Sequence, residues 1–452
     1  MPVDRLDSWK EIGTYLGKDS RTAIRWEKQK GLPVHRVPGG RRKAVFAYAN
    51  EIDRWLTSES AREDGDDGLV TRPALEQRIP LRLHLWFAMA GGLITALILA
   101  TAGFLYLNRH AAQPSIATFT SDSLQAWDDH HHLLWEYRFP QPFATTAVVS
   151  DVDPQSLDLV TYDITNRAGI FDLYGDGKQE ILAITLFNHG DSVVAQKRQV
   201  LSCFSPTGKL LWSYEPQTVL AFGDRTYSAP WKLSSFIVSD EPGRKTIWVN
   251  AVDYVWGKSF IARLDADGHA AVQFVNSGEI AVLERLHTAA GPLLWIGGFN
   301  DEYDTASVAI LRDTQTYAVS PQTPGTHFAC KSCGTGDPLA YFVLPRYDMG
   351  RALHVPNNKV FAISSNADDV IVEHAEISRA YQVLYDFSND ANPRPLRVNY
   401  AAAFWSNHTE LERQGKLNHT MARCPDRLHP PSVRAYQAGQ WREIAVPSVY
   451  SQ

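Results

Sequence analysis

Gly177-Lys178-Gln179-Glu180-Ile181-Leu182-Ala183, Gly243-Arg244-Lys245-Thr246-Ile247-Trp248-Val249 and Gly291-Pro292-Leu293-Leu294-Trp295-Ile296-Gly297 follow one plan, a glycine and then a short apolar run. Each run is brief and bounded by turn residues, which reads as a buried strand. A second apolar run follows each of them: Leu201 to Phe204, Phe260 to Leu264 and Val308 to Leu311. Turn signals come next, Ser205-Pro206-Thr207-Gly208-Lys209 and Asp265-Ala266-Asp267-Gly268-His269. The stretch 109–452 is therefore read as an all-β domain built from repeated multi-strand units.

The glycine openings lie 66 and 48 residues apart. A period near 48 with several strands per unit is propeller-like, and 344 residues predict about seven blades, with an array of β-sandwiches as the alternative. Composition agrees: 13 Trp, 18 Tyr and 19 Phe against 4 Met suit pleated surfaces, where aromatic side chains pack well. No amphipathic helix longer than about two turns is expected in this region. Charge is unevenly spread. Residues 1–60 carry 12 Lys/Arg against 8 Asp/Glu, whereas 109–452 carries 28 against 37. A basic head on an acidic body implies two compartments or two partners.

Two local motifs carry a family likeness. Gly208-Lys209-Leu210-Leu211-Trp212-Ser213-Tyr214, echoed by Leu133-Leu134-Trp135-Glu136-Tyr137, resembles the G-x-x-L-W blade strand of quinoprotein-like propellers. Asp172-Leu173-Tyr174-Gly175-Asp176-Gly177-Lys178-Gln179-Glu180 resembles the calcium-loop repeat of integrin-type (FG-GAP, VCBS) propellers. Ca²⁺ takes six to eight oxygens, and Asp172, Asp176 and Glu180 stand at positions 1, 5 and 9 of such a loop. Position 3 is Tyr174, which supplies no carboxylate, and a plain β-turn is the competing reading.

The first sixty residues read differently. Trp9, Ile12 and Leu16 have helical spacing behind a cap at Asp7 or Ser8, and Gly17 ends that helix. A second helix starts near Asp19–Ser20 and stops at Gly31, a helix-turn-helix arrangement. Arg21, Arg25 and Lys28 fall on one face of it, with Ser20 and Thr22 at its start; such a face can meet phosphates and base edges in a major groove. A hairpin follows, Val34 to Val37 and Ala44 to Tyr48, with Arg41, Arg42 and Lys43 beside a Pro38-Gly39-Gly40 tip. A basic hairpin of this kind can grip the sugar-phosphate backbone. The run from Thr22 to Pro33, with Arg25, Glu27, Gly31 and Leu32 in place, resembles the core of MerR-type and excisionase-type winged helices. That resemblance covers 1–58 and implies DNA binding, although no long dimerising helix follows.

Residues 59–82 are polar and acidic and read as a flexible linker. Residues 85–107 contain no charge over 23 positions and would span roughly 34 Å as a helix, so a transmembrane helix is expected over 83–108. Arg72, Arg78 and Arg82 precede it and predict a cytoplasmic N-terminus. The expectation is thus a single-pass protein of a bacterial inner membrane, with 109–452 outside the cytoplasm. Ala88, Gly92, Ala96 and Ala100 line one face and could mediate a homodimer.

Four cysteines are too few for a disulfide scaffold. Cys330-Lys331-Ser332-Cys333 could be a redox pair, half a zinc site or a local disulfide, and outside the cytoplasm the disulfide fits best. No G-x-S-x-G, Walker or H-E-x-x-H pattern occurs, so no catalytic residues are assigned and an enzyme is not expected. The functional expectation is a membrane-anchored transcriptional regulator whose β domain senses a ligand or partner. The alternatives are an envelope scaffold whose winged helix contacts protein, or a propeller enzyme.

Overall fold

The computed structural model describes residues 5–36, 45–63, 112–144, 166–188, 197–255, 257–288, 291–355, 358–366, 368–376 and 381–450. They divide into two compact units, Met1–Phe104 and Leu105–Gln452.

In the first unit, helix α1 (Trp9–Tyr15) begins where Ser8 Oγ accepts the Glu11 N–H at 3.2 Å; the Glu11 carboxylate reaches back to the Asp7 N–H at 2.8 Å. This is a capping box displaced by one residue. Helix α2 (Ser20–Lys30) starts on Asp19, whose carboxylate accepts the Thr22 N–H at 2.7 Å, and ends at Gly31 with φ 68°. Gly13 lets the two helices meet: a Cβ there would stand 2.8 Å from the Lys18 carbonyl oxygen. Strands Arg5–Leu6 and His35–Arg36 flank Val45–Tyr48 in a small antiparallel sheet. Helix α3 (Ala49–Glu63) closes the unit. Ile12, Ala23, Leu32, Ala47 and Ile52 form its core, with Trp9, Trp26 and Trp55 packed against it.

The second unit is a propeller-like all-β domain. Its sheets follow one another along the chain, and within each meander every strand pairs with its sequence neighbour. The first holds Ile116–Phe119, Ser123–Trp127 and Leu133–Arg138. The second runs from Arg167–Phe171 through Glu180–Asn188 and Lys197–Phe204 to Leu210–Tyr214. The third runs from Lys232–Val238 through Ile247–Val252 and Ser259–Leu264 to Ala270–Asn276. The fourth opens with Ile280–Thr288, Gly291–Asn300 and Thr305–Arg312, and adds Ala340–Val343, Ser432–Gln437 and Gln440–Ala445. The fifth runs from Lys359–Ser365 through Asp369–Ala375 and Val383–Ser388 to Pro395–Tyr400, with Ser448–Tyr450 added in parallel.

The quoted glycine runs open the second strand of three successive sheets, and the apolar runs after them are the third strands. These strands bury both faces because each sheet lies between two others. Ile247, Val249 and Ala251 share a core with the second sheet, while Trp248 on the opposite face joins a core with Leu294 and Ile296 of the fourth. Leu293 and Trp295 then face Val370, Tyr385 and Phe387 of the fifth. Period-two alternation is present, but both phases are apolar, so the strands read as continuous apolar runs.

A repeated clasp joins the first three sheets. Trp135 Nε1 donates to the Pro206 carbonyl at 2.9 Å, and Trp212 Nε1 donates to the Ala266 carbonyl at 2.9 Å. Each indole lies under the glycine of the next sheet's turn: a Cβ on Gly208 would stand 2.7 Å from Trp135, and one on Gly268 would stand 2.6 Å from Trp212. Both glycines have positive φ, 82° and 84°. A side chain at either position would therefore meet backbone strain as well as the indole.

Three expectations are corrected. No helix among the described residues is long and apolar enough to cross a membrane. The longest, α3, has 15 residues and several charges, against the roughly 20 apolar residues that a span requires. A single-pass membrane protein with an extracytoplasmic β domain therefore finds no support. The stretch 83–108, with Ala88, Gly92, Ala96 and Ala100, lies outside the described residues, as does most of 59–82. The count of about seven blades becomes five blade-like sheets among the described residues. The 48-residue spacing is local, because chain is also spent on a hairpin (Leu220–Phe222 with Arg225–Tyr227) and on helices between 401 and 431. One of these, Ala402–Arg413, runs to 12 residues, longer than the two turns expected; its buried side (Phe404, Trp405, His408, Leu411) mixes polar and apolar types and so lacks a clean stripe.

Candidate nucleic-acid interface

Helix α2 presents Arg21, Arg25 and Lys28 as exposed side chains, while Ala23 is fully buried and Ile24 and Trp26 are half-buried. The helix is held at both ends. Hydrogen bonds from the Thr22 backbone, opposed in part by desolvation, keep the Asp19 carboxyl below its ordinary range, so the cap stays ionised. At the other end Trp55 Nε1 donates to the Lys30 carbonyl at 3.0 Å, and the Trp26 and Trp55 rings lie 6.0 Å apart. Ser20 is half-buried at the first position, and Thr22 is tied to the cap through its N–H.

Arg41, Arg42 and Lys43 lie outside the described residues. The stem that carries them is paired in register, His35 with Phe46 and Arg36 with Val45. The stem is also fastened to the helices. Arg36 Nη2 donates to Glu27 Oε1 of α2 at 2.8 Å, and His35 Nε2 lies 2.6 Å from Glu51 Oε2 of α3. Arg5 caps the outer face of the sheet, 4.1 Å above the Phe46 ring. Sequence reasoning missed the strand Arg5–Leu6, which has only two residues and no alternation to detect.

The Asp172–Glu180 loop is held by its own hydrogen bonds. Asp172 accepts the Asp176 and Gly177 N–H groups, both at 3.0 Å. Asp176 accepts the Lys178 N–H at 3.0 Å and Lys178 Nζ at 2.9 Å, and that ammonium holds its carboxyl below the usual range. Glu180 accepts the Leu173 N–H at 3.0 Å, and burial raises its carboxyl to about 7. Among the described residues, the groups of three His, Cys, Asp or Glu whose ligand atoms lie within 4.8 Å do not include these carboxylates. The structure thus places the three residues on one loop without turning their oxygens to a common point.

Cys330 and Cys333 are joined by a disulfide with Cα atoms 5.5 Å apart. Lys331 N donates to the Ala221 carbonyl at 2.7 Å and Ser332 Oγ accepts the Ala221 N–H at 2.8 Å, so the bridged loop is stitched to the hairpin Leu220–Phe222. Cys203 is buried in the core between the second and third sheets.

No family model matches the chain, and no curated protein matches it. Among solved structures, one described as the Dos1 propeller is 9% identical, with 73% of this chain and 74% of that chain covered at a TM-score of 0.24. Another, described as a eukaryotic initiation factor, is 11% identical over 73% of this chain and 85% of that one, with a TM-score of 0.22.

Proposed function

We propose that the first unit binds DNA and that the β domain binds a ligand or protein partner, so that the chain acts as a transcriptional regulator. The observation that carries this reading is the exposed face of α2, where Arg21, Arg25 and Lys28 stand on a helix capped at both ends. Cations on a rigid helix can contact guanine edges bidentately, and a basic hairpin beside it adds phosphate contacts. The fastening of the hairpin stem by Arg36–Glu27 and His35–Glu51 supports a fixed geometry between the two. The β domain, a series of packed sheets, is assigned the binding of a ligand or protein partner.

The test is selection from a random DNA pool with the full chain, followed by a salt titration of the enriched sequences. Enrichment that disappears in Arg25→Ala supports the regulator. Salt-independent binding, or no enrichment of any sequence, removes it and leaves a protein scaffold whose small unit contacts another polypeptide.

A further inference from the structure

Between strands Pro395–Tyr400 and Ser432–Gln437 the chain makes a helical excursion: the helix Ala402–Arg413, a turn of 3₁₀ helix Met421–Arg423 and the short helix Pro425–Leu428. Its apolar side, with Phe404, Trp405, Leu411 and Leu417, packs into the core of the fourth and fifth sheets. Three side chains of another kind converge beside this packing. His408, His419 and Cys424 each bring one ligand atom within 4.8 Å of the others. His408 and Cys424 have no exposed surface. The Nε2 atoms of His408 and His419 face each other at 3.3 Å. From the helix Asp348–Ala352, Asp348 sets its buried Oδ2 3.0 Å from the same His419 Nε2. His419 Nδ1 lies 3.0 Å from Asn418 Oδ1. Donation from Nδ1 to Asn418 leaves the Nε2 lone pair directed at the cluster.

We propose that His408, His419 and Cys424 hold a divalent transition metal of the zinc class, and that Asp348, which stands beside His419 but outside the group of mutually close ligand atoms, turns in to complete a tetrahedral set. Bonds of 2.0–2.1 Å at tetrahedral angles set neighbouring nitrogens about 3.3–3.4 Å apart, which is the spacing of the two imidazoles. Two imidazoles and a thiolate are soft and intermediate donors, which select zinc-class ions over calcium or magnesium. Charge also balances. A dication with one thiolate, one carboxylate and two neutral imidazoles has no net charge, as a buried site requires. Binding converts the Cys424 thiol to a thiolate and releases its proton to solvent. With Asp348 turned in, all four positions are filled by protein, which makes the ion structural and lets it staple the excursion to the helix Asp348–Ala352.

The experiment uses the full chain stripped of metal and titrated with zinc, and with cobalt(II) as a spectroscopic substitute. One ion per chain is expected, with the absorption of a tetrahedral cobalt centre and a thiolate charge-transfer band that zinc abolishes. Cys424→Ser should lose that band and weaken binding by about 100-fold or more, although Cys203 is still present. Asp348→Asn should keep the band and bind about 10-fold or more weakly. Matching circular dichroism of metal-free Cys424→Ser and metal-free wild type shows that the variant folds; should it not fold, His419→Gln takes its place with the same expected weakening. No stoichiometric ion, a cobalt spectrum without charge transfer, or wild-type affinity in the folded variant overturns the site. In that event the cluster is an ion pair between His419 and Asp348.

Discussion

Replacing Gly268 by alanine tests the clasp between the second and third sheets. The substitution has two separable costs. Gly268 has φ 84°, and an L-residue in the left-handed region costs roughly 1–2 kcal/mol. The new Cβ would also stand 2.6 Å from Trp212 Cδ2, so the indole must move. Movement breaks the 2.9 Å hydrogen bond to the Ala266 carbonyl, worth about 1 kcal/mol, and loosens the packing of a large ring, worth about 1–2 kcal/mol more. Gly439 separates the two costs. Its φ is 75° and nothing lies within 4 Å of the Cβ position, so Gly439→Ala carries the conformational cost alone. Urea unfolding followed by tryptophan fluorescence should place Gly268→Ala about 2–3 kcal/mol below Gly439→Ala. In a Trp212→Ala background the two substitutions should cost the same, because neighbouring sites are not additive. Equal destabilisation in the wild-type background would show that Trp212 does not occupy the space under Gly268.

Arg25→Ala should cost about 1–3 kcal/mol at an enriched DNA site and relax its sequence preference, read by fluorescence anisotropy. Replacing Arg41 and Arg42 should instead weaken binding to all sequences and flatten the log–log salt dependence by about one unit for each phosphate no longer neutralised. Glu180 has its folded pKa raised to about 7, so its protonated form is favoured in the fold; stability should fall as pH rises from about 4.5 to about 7. Glu180→Gln keeps an acceptor for the Leu173 N–H and should flatten that dependence, and parallel pH profiles would count against the assignment. Calcium is read in the same assay: an ion held by Asp172, Asp176 and Glu180 raises the wild-type midpoint but not that of Asp176→Ala, and an unchanged midpoint disposes of it.

The helices of the first unit were legible because their ends are local chemistry. Ser8, Asp19 and Gly31 cap where their residue types predict, since a cap depends only on the few residues around it. The glycine-led strands were legible for a similar reason, each being a short apolar run between turns. Blade count was not, because it depends on how much chain goes into insertions, and the helices between 401 and 431 carry no clean apolar stripe to announce them. The His408, His419 and Cys424 group was invisible for another reason. Asp348, which lies 3.0 Å from His419, arrives from a separate helix earlier in the chain, and no sequence spacing encodes that meeting. The Asp172 loop marks the opposite limit, where ligand types at plausible spacing turn out to be engaged with backbone N–H groups.

The route of the chain after Tyr400 has a consequence for the order of assembly. It leaves the fifth sheet, makes its helical excursion, gives the hairpin Ser432–Gln437 and Gln440–Ala445 to the fourth, and returns to the fifth as Ser448–Tyr450. Tyr341 therefore pairs with Tyr436, and Val398 with Ser448. During synthesis the first three sheets can complete soon after they emerge, because nearly all of their pairings are between sequence neighbours. The fourth and fifth must wait with open edges until residues 432–450 have been made. An edge held open during synthesis invites pairing with other chains, which makes this interval the one in which a chaperone would matter most.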